Sequence, residues 1–542
     1  MRTMKVFVLP LVVALCGAGC GPSGPARAAV TKRVQSRISS FDVGAVVQGK
    51  KLTQPKAVEQ VYAARKGNAV WPEPDDAKQI VRAIRGMEKD GLDPADYHLA
   101  AIEALLQKRE TAPTADVAAD LDILLTDAVA AMLDHVRFGR VRPSSLDPHW
   151  NVDPREGATP LEEEVARVAA APSIETAIEG AKPDHFIYRG LKSALSDLRE
   201  IEAKGGWPQV PAGKAVKPGT SSPRVPVIRS RLVASGELGG GGSASAVYDR
   251  ALQEAVKRFQ ARHRIESKGV IDKATVDAMN VTAGERVAQL RVNLERARWV
   301  LGGLQSDFLL VNLPAFKAYL IRGGKNVWEA RTQIGEDAMQ TPAFRAEMRT
   351  IVFNPDWTVP PTILAEEVLE GMRKDESYLT RKELVVFDKD NQQVDASSVD
   401  WGSASADDFP YTIRQLPSEG NALGQVKFLF PNKYSIYLHD TPNKRLFESG
   451  ERTFSHGCIR LENPLELAAI LLEGQGGWTS AKIAETVQSD ATENVELRNR
   501  LPVLIVYWTV SVGANGEVRY MNDIYNLDPP VVAALGATPR RV

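Results

Sequence analysis

Cysteine is scarce in this sequence of 542 residues, which holds three, and Cys16 and Cys20 lie close to the N-terminus. Cys458 is the only cysteine after residue 20, so a framework of disulfide bonds is excluded for the folded body. An excess of charge of one sign is also missing, because 67 Lys and Arg residues balance 68 Asp and Glu residues. A general attraction to nucleic acid or to an anionic membrane is therefore not expected.

Long apolar runs are absent beyond the N-terminus, and the run from Val6 to Leu15 is too short to span a bilayer, which needs about 20 residues. Basic residues precede this run and small residues follow it, which predicts a secretory signal over residues 1–28. Two processing interpretations stay open. Gly17-Ala18-Gly19-Cys20 resembles a lipoprotein motif with lipid attachment at Cys20, whereas Ala26-Arg27-Ala28 fits simple cleavage after Ala28. Both predict an extracytoplasmic protein.

Length and composition predict a multidomain, water-soluble body, since 44% of residues are hydrophobic and 25% charged. Residues 36–204 are predicted to form an α-helical scaffold, because apolar residues between Leu121 and Val136 recur every three or four positions. Residues 205–226 are rich in proline and are predicted to be a linker. Residues 227–285 predict a small helical module, followed by a connecting helix from Val287 to Leu301.

From residue 303 to about 530, β-branched and aromatic segments predict a mainly-β domain. Phe308 to Ile321 and Val327 to Ile334 are expected to be two strands of a hairpin that turns at Gly323-Gly324, and Val503 to Val512 a later strand. A charged stretch at about 364–419 interrupts this pattern and is expected to be an inserted lid subdomain. The last residues, from Asp528, carry too little pattern for an assignment.

The densest chemical signal is Ser455-His456-Gly457-Cys458-Ile459-Arg460, with His439 upstream. Asn463-Pro464 predicts a helix that starts just after the cysteine, so we expect Cys458 in a turn between sheet and helix, where backbone N–H groups can face an oxyanion. A thiol near neutral pH needs a histidine or a favourable dipole to become a nucleophile. His439 and His456 are therefore candidate bases. Two alternatives stay open: a small buried cysteine without reactivity, and a zinc site formed by these three residues.

The motif Ser455-His456-Gly457-Cys458-Ile459-Arg460, preceded by Tyr437-Leu438-His439-Asp440, resembles the active site of the L,D-transpeptidase (YkuD) catalytic family. Asn354-Pro355-Asp356-Trp357 and Asn421-Ala422-Leu423-Gly424 extend the likeness. Residues 228–275 are similar to peptidoglycan-binding-like domains, although Lys268 and Asp272 depart from that pattern. Nearly the whole mature chain resembles the large, multidomain periplasmic murein L,D-transpeptidases of Gram-negative bacteria.

The resemblance implies a role for each residue of the motif. Cys458 would be the nucleophile and His439 its base, while His456 would orient the site or share that role. The N–H groups of Gly457 and Cys458 would form an oxyanion hole, and Ser455, Arg460 and Tyr437 would shape the substrate pocket. No cofactor or metal is implied. An equal alternative for Arg460 is a structural ion pair.

The implied activity is 3→3 cross-linking of peptidoglycan through a Cys thioester, with release of D-alanine from tetrapeptide stems. The implied partners are the stem peptides and glycan of the wall and other wall synthases, and carbapenems would be inhibitors. Alternatives are an L,D-carboxypeptidase, an enzyme that attaches or detaches a wall protein, and a non-catalytic wall-binding scaffold. The expected location is the periplasm, with a membrane anchor if Cys20 is lipidated.

Overall fold

The structure is a computed structural model that describes residues 25–41, 44–147, 150–151, 154–240, 244–302, 304, 306–513 and 515–536. Most of the predicted signal segment, with Cys16, Cys20 and the lipoprotein motif, lies outside the described residues. Across the described ranges, no helix combines the length and the apolar character needed to cross a membrane.

The N-terminal part is a helical scaffold built around one long helix. Its elements are α1 (Arg27–Ile38), β1 (Val46–Val47), β2 (Lys50–Lys51), α2 (Pro55–Ala64), α3 (Pro74–Gly86), α4 (Leu99–Thr111), α5 (Ala115–Phe138), α6 (Leu161–Ala169), α7 (Ile174–Glu179) and α8 (Phe186–Ala203). α5 is buried on nearly all sides. It carries Asp122 into the core, where the carboxylate accepts hydrogen bonds from the N–H groups of Val70 and Trp71 and from the Tyr62 hydroxyl. Because buried polar groups need partners, this aspartate fixes the loop beside the helix.

A small helical module follows, formed by α9 (Val225–Ala234), α10 (Arg250–Arg262) and α11 (Lys273–Asn280). The proline-rich segment 205–226, predicted to be a linker, packs on this module instead of standing apart from it. Val210 and Val216 are buried in the module's core, and Val216 forms a β-bridge with Ile271. These two valines bury apolar surface in the module, which the proline-rich composition of the segment does not indicate. α12 (Ala283–Leu301) then leads to the third domain.

The third domain is mainly β. Its strands up to residue 506 are β3 (Phe308–Asn312), β4 (Lys317–Arg322), β5 (Lys325–Gly335), β6 (Phe344–Phe353), β7 (Trp357–Thr358), β8 (Leu384–Phe387), β9 (Gln393–Val394), β10 (Thr412–Gln415), β11 (Val426–Leu429), β12 (Leu438–His439), β13 (Thr453–Ser455), β14 (Ile459–Leu461) and β15 (Glu493–Val506). The main sheet has the order β13-β5-β14-β12-β11-β6-β15-β3-β4. β15 pairs antiparallel with β6 and parallel with β3. The predicted succession of helical scaffold, small helical module and mainly-β domain is confirmed.

Two predicted strands are divided in the structure. The segment 308–321 forms β3 and β4, because the chain turns over the buried Phe316, whose φ is 46°. The hairpin turn at Gly323-Gly324 joins β4 to β5, as the sequence predicts. The segment 503–512 is divided between β15 and β16 (Val510–Val512), and β16 pairs with β17 (Val518–Tyr520) in a separate hairpin.

The insertion is a subdomain with a sheet and an apolar core of its own. β7, β10, β8 and β9 form that sheet. The predicted helix Ile363–Met372 is one helical stretch, in which a π-helical turn, Leu364–Val368, joins α13 (Pro361–Ile363) to α14 (Leu369–Lys374). α15 (Tyr378–Arg381) follows. The buried Asn421 amide donates to the carbonyls of Pro355 and Leu416 and so closes the base of the subdomain.

Helices cover both faces of the main sheet. α16 (Pro464–Leu472) and α17 (Ser480–Gln488) share one core cluster with it, and α8 and α12 share the other. The C-terminal segment that the sequence left unassigned contains α18 (Asp528–Gly536). Arg296 of α12 pairs with Asp528 and holds this last helix against the rest of the protein.

Candidate active site

The residues Ser455 to Cys458 form a turn between two short strands, β13 and β14. The chain enters β14 directly after Cys458, and α16 begins only at Pro464. The predicted position between sheet and helix therefore differs from the observed one. Asn463 adopts a left-handed conformation, with φ 50°, and makes no side-chain capping bond. Strand β14 thus separates Cys458 from the helix N-terminus along the chain.

Parallel pairing of β12 with β14 brings four of the predicted residues to one face of the sheet. Leu438 pairs with Ile459 and His439 pairs with Arg460. Side chains alternate along a strand, so Tyr437 and His439 lie on the same face as Cys458 and Arg460. The rings of Tyr437 and His439 are 5.6 Å apart between centroids.

The buried His439 is held in a single tautomer. Its Nδ1 atom lies 2.5 Å from the carbonyl oxygen of Asp440. A carbonyl only accepts hydrogen bonds, so Nδ1 carries the proton and Nε2 keeps its lone pair. Burial, and secondly the charge of Arg460, lower the pKa of His439 to about 3. The imidazole is therefore neutral at physiological pH, which is the form that a general base requires.

Cys458 is half-buried, and its Sγ atom lies 3.7 Å from the carbonyl oxygen of Ser435. Burial raises the pKa of the thiol, while hydrogen bonding to Tyr437 and the positive charge of Arg460 act in the opposite direction. The resting site therefore combines a neutral thiol with a neutral imidazole. In such a pair, the proton leaves sulfur most easily as the new bond forms.

Two hydroxyl groups fix the turn that presents the thiol. Ser455 Oγ donates to the carbonyl of Cys458 and accepts from the N–H of Gly457. The buried Thr341 hydroxyl donates to the carbonyl of Gly457 at 2.7 Å and accepts from the N–H of Gly335 at 2.9 Å. Gly457 has φ 108°, a backbone conformation that favours glycine.

These bonds change the expected oxyanion hole. The N–H of Gly457 is bound to Ser455, whereas the N–H of Cys458 has no hydrogen-bond partner among the described residues. In a planar trans peptide, C=O and N–H point in opposite directions. Thr341 therefore sets the direction of the Cys458 N–H by holding the carbonyl of Gly457. The N–H of Cys458 therefore remains a candidate oxyanion donor, whereas the N–H of Gly457 is already bound.

Arg460 lies beside the thiol with part of its guanidinium unpaired. Its Nη1 atom donates to Gln333 Oε1 and to the carbonyl of Phe454, and burial lowers its pKa. Its Nε atom and the Nε2 atom of Gln333 are buried without a hydrogen-bond partner among the described residues. The partners of Arg460 are thus amide and carbonyl oxygens, which does not match the alternative of a structural ion pair.

His456 faces the inserted subdomain and not the shared face of the sheet. Its Nε2 atom lies 3.2 Å from Oε1 of Glu367, which belongs to the π-helical turn. Single π-helical turns inside α-helices often occur at functional sites. The insertion therefore touches the motif directly, and the two histidines have different surroundings.

The strand pair that carries His439 is held by a close glycine contact. Gly424 has φ 60°, and a Cβ at this position would lie 2.6 Å from the Cβ of Asp440. Asp440 in turn accepts a hydrogen bond from the N–H of Gln425. Of the predicted motif Asn421-Ala422-Leu423-Gly424, Gly424 thus contacts the residue that follows His439 in the chain.

Sequence reasoning did not identify Thr341, Glu367 or Tyr525 as part of this site. Tyr525 donates to the carbonyl of Gly335 and so supports the loop that carries Thr341. These residues are far from the motif in the chain and belong to no recognisable spacing. Within the described part of the chain, no three His, Cys, Asp or Glu side chains lie close enough together to hold a metal ion.

Three family models match successive parts of the chain. A "Scaffold domain" matches residues 56–195, a "Putative peptidoglycan binding domain" matches residues 221–279, and an "L,D-transpeptidase catalytic domain" (YkuD) matches residues 306–484. The third domain, with its cysteine turn, is thus similar to the L,D-transpeptidase catalytic domain (YkuD) family.

A curated relative carries the same description. The chain is 34% identical over 243 residues to the "Putative L,D-transpeptidase" of Haemophilus influenzae, a match that covers 44% of this chain and 48% of that protein. The chain thus spans about half the length of the relative.

Two solved structures are also similar. They are L,D-transpeptidases from Xylanimonas cellulosilytica (14% identity, TM-score 0.17, 55% of this chain and 99% of that one) and from Stackebrandtia nassauensis (13% identity, TM-score 0.20, 55% of this chain and 96% of that one). These identities and TM-scores are too low to support a conclusion about this chain.

Proposed function

We propose that the protein is a peptidoglycan L,D-transpeptidase that forms 3→3 cross-links through a thioester on Cys458. The observation that carries the proposal is the shared face of β12 and β14. There, a half-buried thiol shares a face of the sheet with a neutral histidine whose proton lies on Nδ1, so that Nε2 carries the lone pair. The catalytic-domain match over residues 306–484 supports the reaction class.

In the first half-reaction, Cys458 attacks the carbonyl between the third residue of a tetrapeptide stem, a diamino acid, and its terminal D-alanine. The thiol proton passes to Nε2 of His439 as the carbon–sulfur bond forms. The oxyanion is stabilised by the N–H of Cys458, because a donor fixed before the reaction needs no reorganisation. The tetrahedral intermediate collapses, the C–N bond breaks, and D-alanine leaves with the proton from His439.

In the second half-reaction, the side-chain amine of another stem attacks the thioester. The amine gives a proton to His439, and the Cys458 sulfur leaves and recovers a proton. The product is an amide bond between two diamino acids. The unpaired Nε of Arg460 is placed to bind a carboxylate of the stem, since guanidinium–carboxylate bonds are strong and directional.

The insertion supplies a cover for this reaction. Glu367 of the subdomain contacts His456 in the motif, which supports the subdomain as a lid that limits the access of water to the turn. Exclusion of water favours aminolysis of the thioester over hydrolysis. His456 therefore positions the inserted subdomain, while His439 accepts and donates the proton.

The test is incubation of the purified protein with disaccharide-tetrapeptides, followed by mass spectrometry of the products. We expect a dimer together with free D-alanine, and no dimer from Cys458→Ala. A carbapenem should give a covalent adduct on Cys458 in the wild type alone. The proposal fails if the Cys458→Ala variant still forms the dimer.

The same assay separates the alternatives. Tripeptide without dimer would indicate an L,D-carboxypeptidase, and amide transfer to a protein amine would indicate attachment to the wall. An unchanged substrate with no carbapenem adduct would indicate a non-catalytic scaffold.

We also propose a periplasmic location, with a lipid anchor at Cys20 or release after Ala28. Radiolabelled palmitate incorporation in wild type but not in Cys20→Ala would support the anchor, and an N-terminal sequence that begins at Ala29 would support release. Co-purification with wall synthases after cross-linking would identify partners.

A further inference from the structure

A cavity of about 380 Å³ lies where three parts of the protein meet, away from the cysteine turn. The module contributes α9 and α10, the scaffold contributes α8, and the C-terminal region contributes the β16–β17 hairpin. None of these elements carries a residue of the candidate active site.

The wall of this cavity is a stack of aromatic rings surrounded by guanidinium groups. The imidazole of His263 lies between the rings of Phe259 and Tyr520, with centroid distances of 3.9 and 5.3 Å. Arg286 lies 4.6 Å above Tyr520, and Arg231 lies 3.8 Å from Trp207. A third guanidinium, from Arg262, lies 6.0 Å from the ring of Tyr520.

Only one of the three guanidinium groups has a carboxylate partner among the described residues. Arg262 pairs with the buried Glu237 at 2.6 Å. Arg231, 1% exposed, donates from Nε to the carbonyl of Met279, and its Nη1 atom is buried without a hydrogen-bond partner among the described residues. Arg286 donates to the neutral amide of Gln289.

Within the described residues, the remaining acids of the wall form no ion pair with Arg231 or Arg286. Glu517 pairs with Arg519, and Asp197 is exposed on α8. The pKa of His263 is lowered well below its ordinary value, first by burial and then by Arg286, Arg262 and Arg231. His263 is therefore neutral. Glu237 and Glu285 act on Arg231 and Arg286 at longer range, but neither guanidinium has a carboxylate in direct contact among the described residues. Ring contacts compensate a guanidinium only in part, and burial of an unpaired charge is costly.

We propose that this cavity binds an anionic group, a carboxylate or a phosphate, between Arg231 and Arg286. Both anions match the planar, forked donors of a guanidinium. The aromatic stack leaves room beside the charge for an apolar part of the ligand. Because the module, the scaffold and the C-terminal hairpin all form the wall, bound ligand would also hold these three parts together.

The test uses the full-length soluble protein in buffer free of phosphate and carboxylate. Isothermal titration with inorganic phosphate and, separately, with an N-acetylated tripeptide that has a free C-terminal carboxylate distinguishes the two sources. We expect saturable binding of at least one probe and a higher melting temperature in its presence. Binding of the tripeptide alone would identify a carboxylate ligand, and binding of phosphate alone would identify a phosphate ligand.

Arg286→Gln should weaken binding about tenfold or more, because a hydrogen bond to a charged group is lost. Arg250→Gln, which removes the same charge from an exposed position of the module, should bind like wild type. Arg286→Lys keeps the charge and covers the case in which Arg286→Gln fails to fold. Absence of saturable binding for both probes, or equal binding by the Arg286 and Arg250 variants, would overturn the proposal. The titration measures binding at the cavity and not catalysis, so its result does not depend on transpeptidase activity.

Discussion

Replacement of Thr341 by valine tests whether this residue orients the cysteine turn for catalysis or only stabilises the domain. The change removes one buried hydroxyl at nearly constant shape. It leaves the carbonyl of Gly457 and the N–H of Gly335 without their partner. An unsatisfied buried group costs about 1–3 kcal/mol, so we expect a loss of about 2–4 kcal/mol in the free energy of unfolding.

The effect on catalysis should exceed what lost stability explains. With its carbonyl released, the 457–458 peptide plane can rotate and turn the Cys458 N–H away from the oxyanion. Removal of a whole oxyanion donor costs about 10²–10³ in kcat, so a misdirected donor should cost at least about tenfold. KM should change little, because the donor acts in the transition state. Single-turnover acylation of Cys458 under conditions where the variant is folded gives this rate directly.

Thr509→Val is a matched control. The Thr509 hydroxyl is also buried and also has two partners, since it donates to Asp528 and accepts from Asn293. This variant should lose similar stability and keep its acylation rate, and Thr341→Ser should restore most of the rate. Equal acylation rates for Thr341→Val, Thr509→Val and wild type would refute the role of Thr341 in orienting the donor.

Three further outcomes are expected. Glu367→Gln should lower kcat/KM by up to about fivefold, because a part-exposed Glu–His contact contributes about 0–1 kcal/mol, and should raise the share of hydrolysed product. Glu366→Gln, a change of the neighbouring exposed acid, should do neither, and equal effects would argue against a specific contact. The rate of alkylation of Cys458 by iodoacetamide should rise with pH around a midpoint above that of a free cysteine, about 8.5, because burial raises the pKa of the thiol. A midpoint below about 8 would indicate a resting thiolate–imidazolium pair instead. Asp122→Asn should lower the free energy of unfolding, measured in urea, by about 3 kcal/mol or more, because three buried donors lose a charged acceptor. Asp116→Asn on the same helix should lower it by less than about 1 kcal/mol, and similar losses for the two variants would contradict this account.

The sequence predicts the order of the domains and the residues of the motif because both depend on local pattern. Periodic apolar residues mark the scaffold helices, and the motif is contiguous except for His439. The shared face of the site depends instead on the parallel pairing of β12 with β14. These strands contain only two and three residues, too few for an alternating pattern to appear.

The remaining differences have the same physical origin. Val210 and Val216 pack on partners that follow far along the chain, so their segment looks like a linker in isolation. Thr341 and Tyr525 act on the turn through backbone carbonyls, which accept hydrogen bonds whatever the residue type. Contacts to backbone carbonyls therefore cannot be predicted from the spacing of residue types.

The position of β15 has a consequence for the order in which the protein is made. This strand lies between β6 and β3, yet it follows the span 306–484 that carries the motif. A nascent chain that ends near residue 484 already contains Cys458 but still has a gap in the middle of its sheet. Neither half of the sheet can close by itself, so we expect this domain to fold only after β15 has been made. A shortened protein meant for crystallisation should therefore extend at least to α18.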